Sequence, residues 1–225
     1  RGVGVVYISH RMAEIFALAD RVTVLRDGEF VATREVAQTS EPELITMMVG
    51  RVIDHLFPKL ATQAGEPVIE VRDLVSPPVV RGVSFTVRAG EIVGLAGLIG
   101  SGRSEVAQTI FGISPASSGE ILLAGRPVRI ASAGQAKRHG IAYVPEDRGS
   151  QGVIRAMTLR HNVSLAVLRR IARHGFIDRG AETGLATDAI ARFAIRARGP
   201  EQIVGKLSGG NQQKVVLGKW LATKP

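Results

Sequence analysis

Apolar residues in this chain fall into two kinds of run: short unbroken stretches typical of buried strands, and longer stretches with helical spacing. Residues 3–8, Val-Gly-Val-Val-Tyr-Ile, predict a buried and parallel strand with Ser9 and His10 at its C-terminal end. A short helix is expected over residues 12–19. Residues 22–25 and 30–33 flank Asp27-Gly28, the dipeptide that favours a tight hairpin turn. Ser40-Glu41-Pro42-Glu43 has the form of a capping box with proline in the first turn. It predicts a helix to about Val49 that stops at Gly50.

Residues 51–67 show no period, contain Pro58, Gly65 and Pro67, and are read as a linker. A new unit then begins. Strands are expected at 68–71 and 83–87, separated by a loop holding Pro77-Pro78. A third strand, 91–96, leads straight into a glycine-rich loop, followed by a helix over 104–111. A strand pair is expected at 121–128 around Gly125, and another buried strand at 141–144. Helices are expected at 159–173 and 179–196, with Gly175 between them, and a final amphipathic helix at 211–223. This order predicts an α/β core with an inserted helical lobe.

Composition narrows the class. A length of 225 residues suits one large α/β domain, or one domain plus part of another. The chain has no cysteine, which excludes disulfides, thiolate metal sites and cysteine nucleophiles, and suits a reducing cytoplasm. The net charge of +9 is compatible with nucleic acid, anionic lipid or phosphate ligands. The basic residues are scattered, however, and the cluster Arg169, Arg170 and Arg173 fits a solvated helix face. With 7 Phe, 2 Tyr and 1 Trp there is no base-stacking platform, so nucleic acid is not an expected partner. No apolar run is long enough for a membrane span. The start is too short and too strand-like for a signal peptide, and both ends read as cut from something longer.

Two motifs carry chemistry. Residues 97–104, Gly-Leu-Ile-Gly-Ser-Gly-Arg-Ser, have the spacing of a phosphate loop, with Arg103 where Lys is usual. Glycines at 97, 100 and 102 let the backbone wrap phosphate oxygens. The following helix adds exposed N–H groups and a favourable dipole. Ser101, Arg103 and Glu105 belong to the same candidate site, and Ser104 would place its hydroxyl on Mg²⁺. Arginine is a planar fork where lysine is a compact charge, so binding is expected here rather than fast hydrolysis. The second motif is Leu207-Ser-Gly-Gly-Asn-Gln-Gln-Lys214, opening the last helix. Ser208 suits an N-cap, and Gly209 and Gly210 allow close approach to backbone N–H groups, with Gln212 just beyond.

Together the two motifs resemble the Walker A and signature motifs of ABC ATPases. The Gly-Asn-Gln-Gln-Lys continuation resembles the ATP-binding subunits of bacterial monosaccharide importers of the ribose, xylose and galactose type, which carry two cassettes in one chain. The resemblance covers the whole chain. It implies a P-loop nucleotide-binding fold of the α/β class with an antiparallel β subdomain and an inserted helical subdomain, here incomplete. Residues 1–50 would close a first cassette, 51–67 would link, and 68–225 would form a second cassette lacking its acidic Walker B pair. His10 would be the switch histidine of the first cassette, and its charge state would respond to phosphate. Glu146, in Tyr-Val-Pro-Glu-Asp-Arg at 143–148, would stand at the Q-loop position and act with His10 in catalysis. The aromatic residue that would stack on adenine is replaced by Val79 and Val80.

The implied cofactors are ATP and Mg²⁺. The implied partners are integral-membrane permease subunits, a periplasmic sugar-binding protein acting indirectly, and a paired cassette. The implied location is the cytoplasmic face of the bacterial inner membrane. In such proteins one cassette's loop faces the other's signature. The site of Gly97 to Ser104 would be degenerate through Arg103 and Glu146, and Ser208 to Gly210 would complete the site that also uses His10. The alternative is a non-transport ABC protein acting on ribosomes or nucleic acid.

Overall fold

The computed structural model describes residues 2–9, 11–26, 28–50 and 63–225. The chain divides into two units, Arg1–Ala61 and Thr62–Pro225. Most of the expected 51–67 linker lies outside the described residues.

In the first unit, α1 (Met12–Leu18) precedes the antiparallel hairpin of β1 (Arg21–Arg26) and β2 (Glu29–Glu35), and α2 (Glu41–Val49) follows. Asp27 lies outside the described residues; Gly28 takes the left-handed backbone of the turn. α2 stops at Gly50, as the sequence predicts, and the Gly50 N–H donates to the Thr46 carbonyl at 2.7 Å. The capping box differs from expectation. The Ser40 hydroxyl makes no cap bond, and Glu43 instead accepts from the Thr39 hydroxyl at 2.8 Å. Leu44, Val24 and Ile15 are the deepest side chains of this unit.

The second unit is built on a four-stranded antiparallel sheet. Its strands are β3 (Pro67–Ser76), β4 (Val80–Arg88), β5 (Ser118–Leu123) and β6 (Arg126–Val128), in the order β4-β3-β5-β6. β5 and β6 turn through Ala124 and Gly125, both with positive φ. Helix α3 (Arg103–Ile110) and helix α4 (Ala133–Arg138) supply the cover. Val71, Leu74 and Ile121 of the sheet meet Phe111 and Ala136 in one cluster.

A second cluster fills the helical lobe of α5 (Leu159–Ser164), α6 (Leu168–Ile171), α7 (Arg179–Arg192) and α8 (Gly209–Leu221). Leu159, Val163, Val204, Val215 and Val216 are fully buried there, each contributing roughly 1.5–3 kcal/mol relative to exposure. Trp220, on α8, packs against both clusters and meets the Phe111 ring edge-on at 5.2 Å.

A buried polar network clasps the lobe. Arg160 of α5 is ion-paired to Glu182 of α7 and to Glu201 at 2.7 Å. The other Glu182 oxygen accepts from the Ser164 hydroxyl at 2.7 Å. Asn162, fully buried, donates to the Ile154 and Thr158 carbonyls and accepts from the Ile154 N–H.

The sequence and the structure differ along several further stretches. Residues 3–8, 91–96 and 141–144 are not strands, and Val6 and Ile92 stand 92% and 97% exposed. A strand buried on both faces needs a hydrogen-bonded neighbour on each edge; among the described residues none of the three has one. The helix expected over 159–173 is broken by a 3₁₀ turn at Leu165–Val167. It ends in a small ribbon, β7 (Ala172–Arg173) with β8 (Phe176–Ile177), turning at His174 and Gly175. α7 ends at Arg192 rather than 196, and α8 starts at Gly209, two residues early.

Candidate functional site

The phosphate loop is a local consequence of its glycines. Gly100 and Gly102 have φ of +84° and +93°, a region costly to side chains with a Cβ. Gly102 then caps α3, whose first residue is Arg103. The loop is closed on itself: the Ser101 N–H donates to the Leu98 carbonyl at 3.1 Å. A Cβ at Gly97 would strike the Ser101 hydroxyl and sit 3.7 Å from Cδ of Arg103, so the arginine stem folds back across the loop. Behind the loop, a Cβ at Gly102 would lie 2.9 Å from Cγ1 of Val79. The valine that stands where an aromatic residue is expected therefore packs on the loop.

Ser104 opens the next layer. Its hydroxyl donates to a Glu146 carboxylate oxygen at 3.2 Å, joining two residues 42 positions apart. They line a cavity of about 450 Å³ with Glu105, Gln108, Tyr143, Asp147 and Gln151. Three carboxylates in such a cavity would repel a bare polyphosphate. They suit one that arrives with a divalent cation, and the Ser104–Glu146 spacing fits two donors on a small cation that takes oxygens at about 2.0–2.1 Å. Among the described residues no cluster of three His, Cys, Asp or Glu could hold a metal alone. A cation here would depend on ligand oxygens as well.

The segment after Glu146 is held by Asp147. Its carboxylate accepts from the Ser150 hydroxyl at 2.7 Å, the Gly149 N–H at 2.8 Å and the Ser150 N–H at 3.2 Å, shaping a π-type turn at Arg148–Gly152. The Ser150 hydroxyl bond, then these backbone bonds, hold the Asp147 carboxyl below the usual carboxylate range. The cap is therefore fully formed above the ordinary aspartate pKa and lost only as pH falls through the depressed value.

At the second motif, Ser208 precedes α8 with extended backbone, but its hydroxyl accepts from Asn211 Nδ2 at 2.8 Å instead of capping a backbone N–H. Asn211 in turn accepts from the Arg196 N–H at 2.9 Å. Gly210 faces open space, while Gly209 lies directly under the Arg148 guanidinium. Gln212 is buried and donates to the Leu207 and Val204 carbonyls, so its amide fixes the start of the helix from within.

The structure thus brings Ser104, Glu105 and Glu146 together and sets Ser208, Gly209 and Gly210 on a separate helix start. His10 lies outside the described residues. Sequence reasoning missed Gln108, Tyr143, Gln151 and Arg148. Gln108 was findable, since it follows Ser104 by four residues and shares its helix face. Arg148 was not, because its contact with Gly209 spans the fold.

Residues 80–225 match the ABC transporter family. Over its whole length the chain is 48% identical to the ribose import ATP-binding protein RbsA of Geobacillus kaustophilus, covering 46% of that protein. It is 46% identical to the protein of the same name from Chromobacterium violaceum, covering 45% of it. The chain therefore spans about half the length of the curated relatives it matches. Among solved structures it is similar to the ATP-binding cassette MJ0796 in a dimeric post-hydrolysis state bound to ADP and Pi. That likeness has a TM-score of 0.56 and 19% identity, over 70% of each chain. It is also similar to a bacterial Atm1-family ABC exporter with ATP bound, with a TM-score of 0.52 and 24% identity over 81% of this chain and 32% of that one. Both likenesses show the fold.

Proposed function

Because the chain belongs to the ABC transporter family, we propose that it is part of an ATP-binding and ATP-hydrolysing subunit that powers import of a monosaccharide. The feature that supports this most is the presence, in one unit, of a glycine-built loop with Ser104 facing Glu146 and a glycine-opened helix at Ser208 to Gly210. The sugar class follows the relatives, whose names specify ribose import.

In this reading the phosphate loop binds the triphosphate of ATP through backbone N–H groups, with Arg103 adding charge. Ser104 and Glu146 hold Mg²⁺ together with the phosphate oxygens; when bound, the ion neutralises charge on the phosphates. Ser208 to Gly210 serve a second ATP, completing a site with residues of another cassette. Partners are a paired cassette, membrane permease subunits and, indirectly, a periplasmic sugar-binding protein. The proposed location is the cytoplasmic face of the cell membrane, bound through the permease. None of the helices among the described residues is long and apolar enough to cross a membrane.

The test is ATP turnover by the full-length protein with its permease and binding protein, with and without sugar. Stimulation by ribose or a related monosaccharide supports the reading; binding to RNA or duplex DNA with steep salt dependence, and no response to sugar, contradicts it. In the same assembly Arg103→Lys is expected to tighten MgATP at the phosphate loop by about tenfold, because a compact ammonium reaches between phosphates where a planar fork does not. Calorimetry with MgATP measures this, and an unchanged or weaker affinity would show that the arginine already makes the full contact.

A further inference from the structure

The arginines at 169, 170, 173 and 179 take no part in the chemistry of either glycine motif. The sequence places the first three on a solvated helix face. The fold distributes them differently: Arg169 and Arg170 lie on α6, Arg173 on β7, and Arg179 opens α7. All four are exposed and stand around the ribbon of β7 and β8. Residues 148–177 contain no aspartate or glutamate. Asp178 commits its carboxylate to the Ala181 N–H at 3.0 Å, as the cap of α7. Arg170 donates to the Ala222 carbonyl at 2.7 Å. Among the described residues Arg169, Arg173 and Arg179 form no ion pair. Arg179 also stands in the first turn of α7, at the positive end of the helix dipole, where a cation is disfavoured. The local structure thus concentrates positive charge without balancing it.

The ribbon adds an apolar element at the same place. Arg173 and Phe176 are cross-strand partners, and residues directly opposite project from the same face. Phe176 is 80% exposed. The chain turns between the two strands through His174 and Gly175, both with positive φ, so the ring stands beside a tight turn. A guanidinium and a ring on one face match the boundary of an anionic bilayer. Arginine forks pair with lipid phosphates, and an aromatic side chain enters the headgroup layer. A bilayer boundary adapts to a short exposed turn, whereas a protein partner would need a pocket shaped to it.

We propose that the β7–β8 ribbon, with Arg169, Arg173, Arg179 and Phe176, binds the headgroups of anionic phospholipids. The arginines pair with the phosphate groups, and Phe176 anchors the turn among them. The contact uses no residue of either glycine motif. It goes beyond the transport function proposed above and does not depend on it.

The test is flotation of the full-length protein, without permease, on vesicles of phosphatidylcholine alone or mixed in equal parts with phosphatidylglycerol. Binding is expected on the mixed vesicles, weakening with salt, and not on the neutral ones. The triple variant Arg169→Gln, Arg173→Gln, Arg179→Gln is expected to bind about 100-fold more weakly, since each cation near an anionic surface contributes about fivefold. Phe176→Ser is expected to lose about tenfold. These side chains are exposed, so circular dichroism is expected to show an unchanged fold. A control, Arg126→Gln, Arg129→Gln, Arg138→Gln, removes the same charge from exposed positions elsewhere in the unit and is expected to bind nearly as the unaltered protein does. Equal losses in the two triple variants would show a response to net charge alone and overturn the site. Binding that requires permease in the vesicles would also overturn it and assign the ribbon to a protein surface. Failure of the unaltered protein to bind mixed vesicles would overturn it while leaving the ATP reading intact; that reading fails instead on absence of ATP turnover.

Discussion

Gly102→Asp is expected to abolish MgATP binding at the phosphate loop of the full-length protein. Three effects add at this position. Its φ of +93° costs a residue with a Cβ about 1–2 kcal/mol. The new Cβ would press on Val79 Cγ1 at 2.9 Å. A carboxylate would then face the triphosphate, and juxtaposed like charges cost several kcal/mol. Together these exceed about 3 kcal/mol, or more than about 100-fold in affinity. Gly102→Ala carries only the first two effects and is expected to lose about tenfold. Calorimetric titration with MgATP separates the variants, with circular dichroism confirming that the fold persists. Equal losses for alanine and aspartate would mean that no anion approaches Gly102.

Arg160→Ala is expected to destabilise the second unit by about 3–5 kcal/mol, the usual cost of removing one partner from a buried ion pair. The Arg160 and Glu182 side chains are 14% and 4% exposed, and the Glu182 carboxylate would be stranded with only the Ser164 hydroxyl. Glu201 is 67% exposed and its contact contributes little. Replacing both partners, Arg160→Met with Glu182→Leu, is expected to recover most of the loss, because no charge is then left buried. Urea unfolding followed by Trp220 fluorescence reads both variants, since Trp220 packs on the lobe. A cost below about 1 kcal/mol for Arg160→Ala would place this pair with surface ion pairs instead.

Where structure was legible in the sequence, the cause was local. The turns at Gly28 and Gly125 and the helix stop at Gly50 follow from backbone freedom at single residues, and each stands where the sequence puts it. The two glycine motifs were legible through spacing alone. What failed depended on distant partners. The apolar runs at 3–8 and 91–96 have the composition of doubly buried strands, but composition does not supply the neighbours that make a strand. Leu165, Val167, Leu168 and Ile171 continue a helical pattern across the 3₁₀ turn, which hid the break before β7. At the site, Ser104 and Glu146 were both named from sequence, yet their contact is visible only in the fold. Gln212, placed with the nucleotide by resemblance, uses its amide on its own backbone.

These contacts divide the chemistry of the chain. In the proposed reading Ser104, Glu146 and the loop form one half-site, and Ser208 to Gly210, beside Arg148, form part of another. The most direct measurement is steady-state ATP hydrolysis by the purified 225-residue chain at millimolar MgATP. Two half-sites in one chain predict turnover no higher than the background of a Ser104→Ala control. Robust hydrolysis that disappears in the Ser104→Ala variant would contradict them and show a complete catalytic site within the chain.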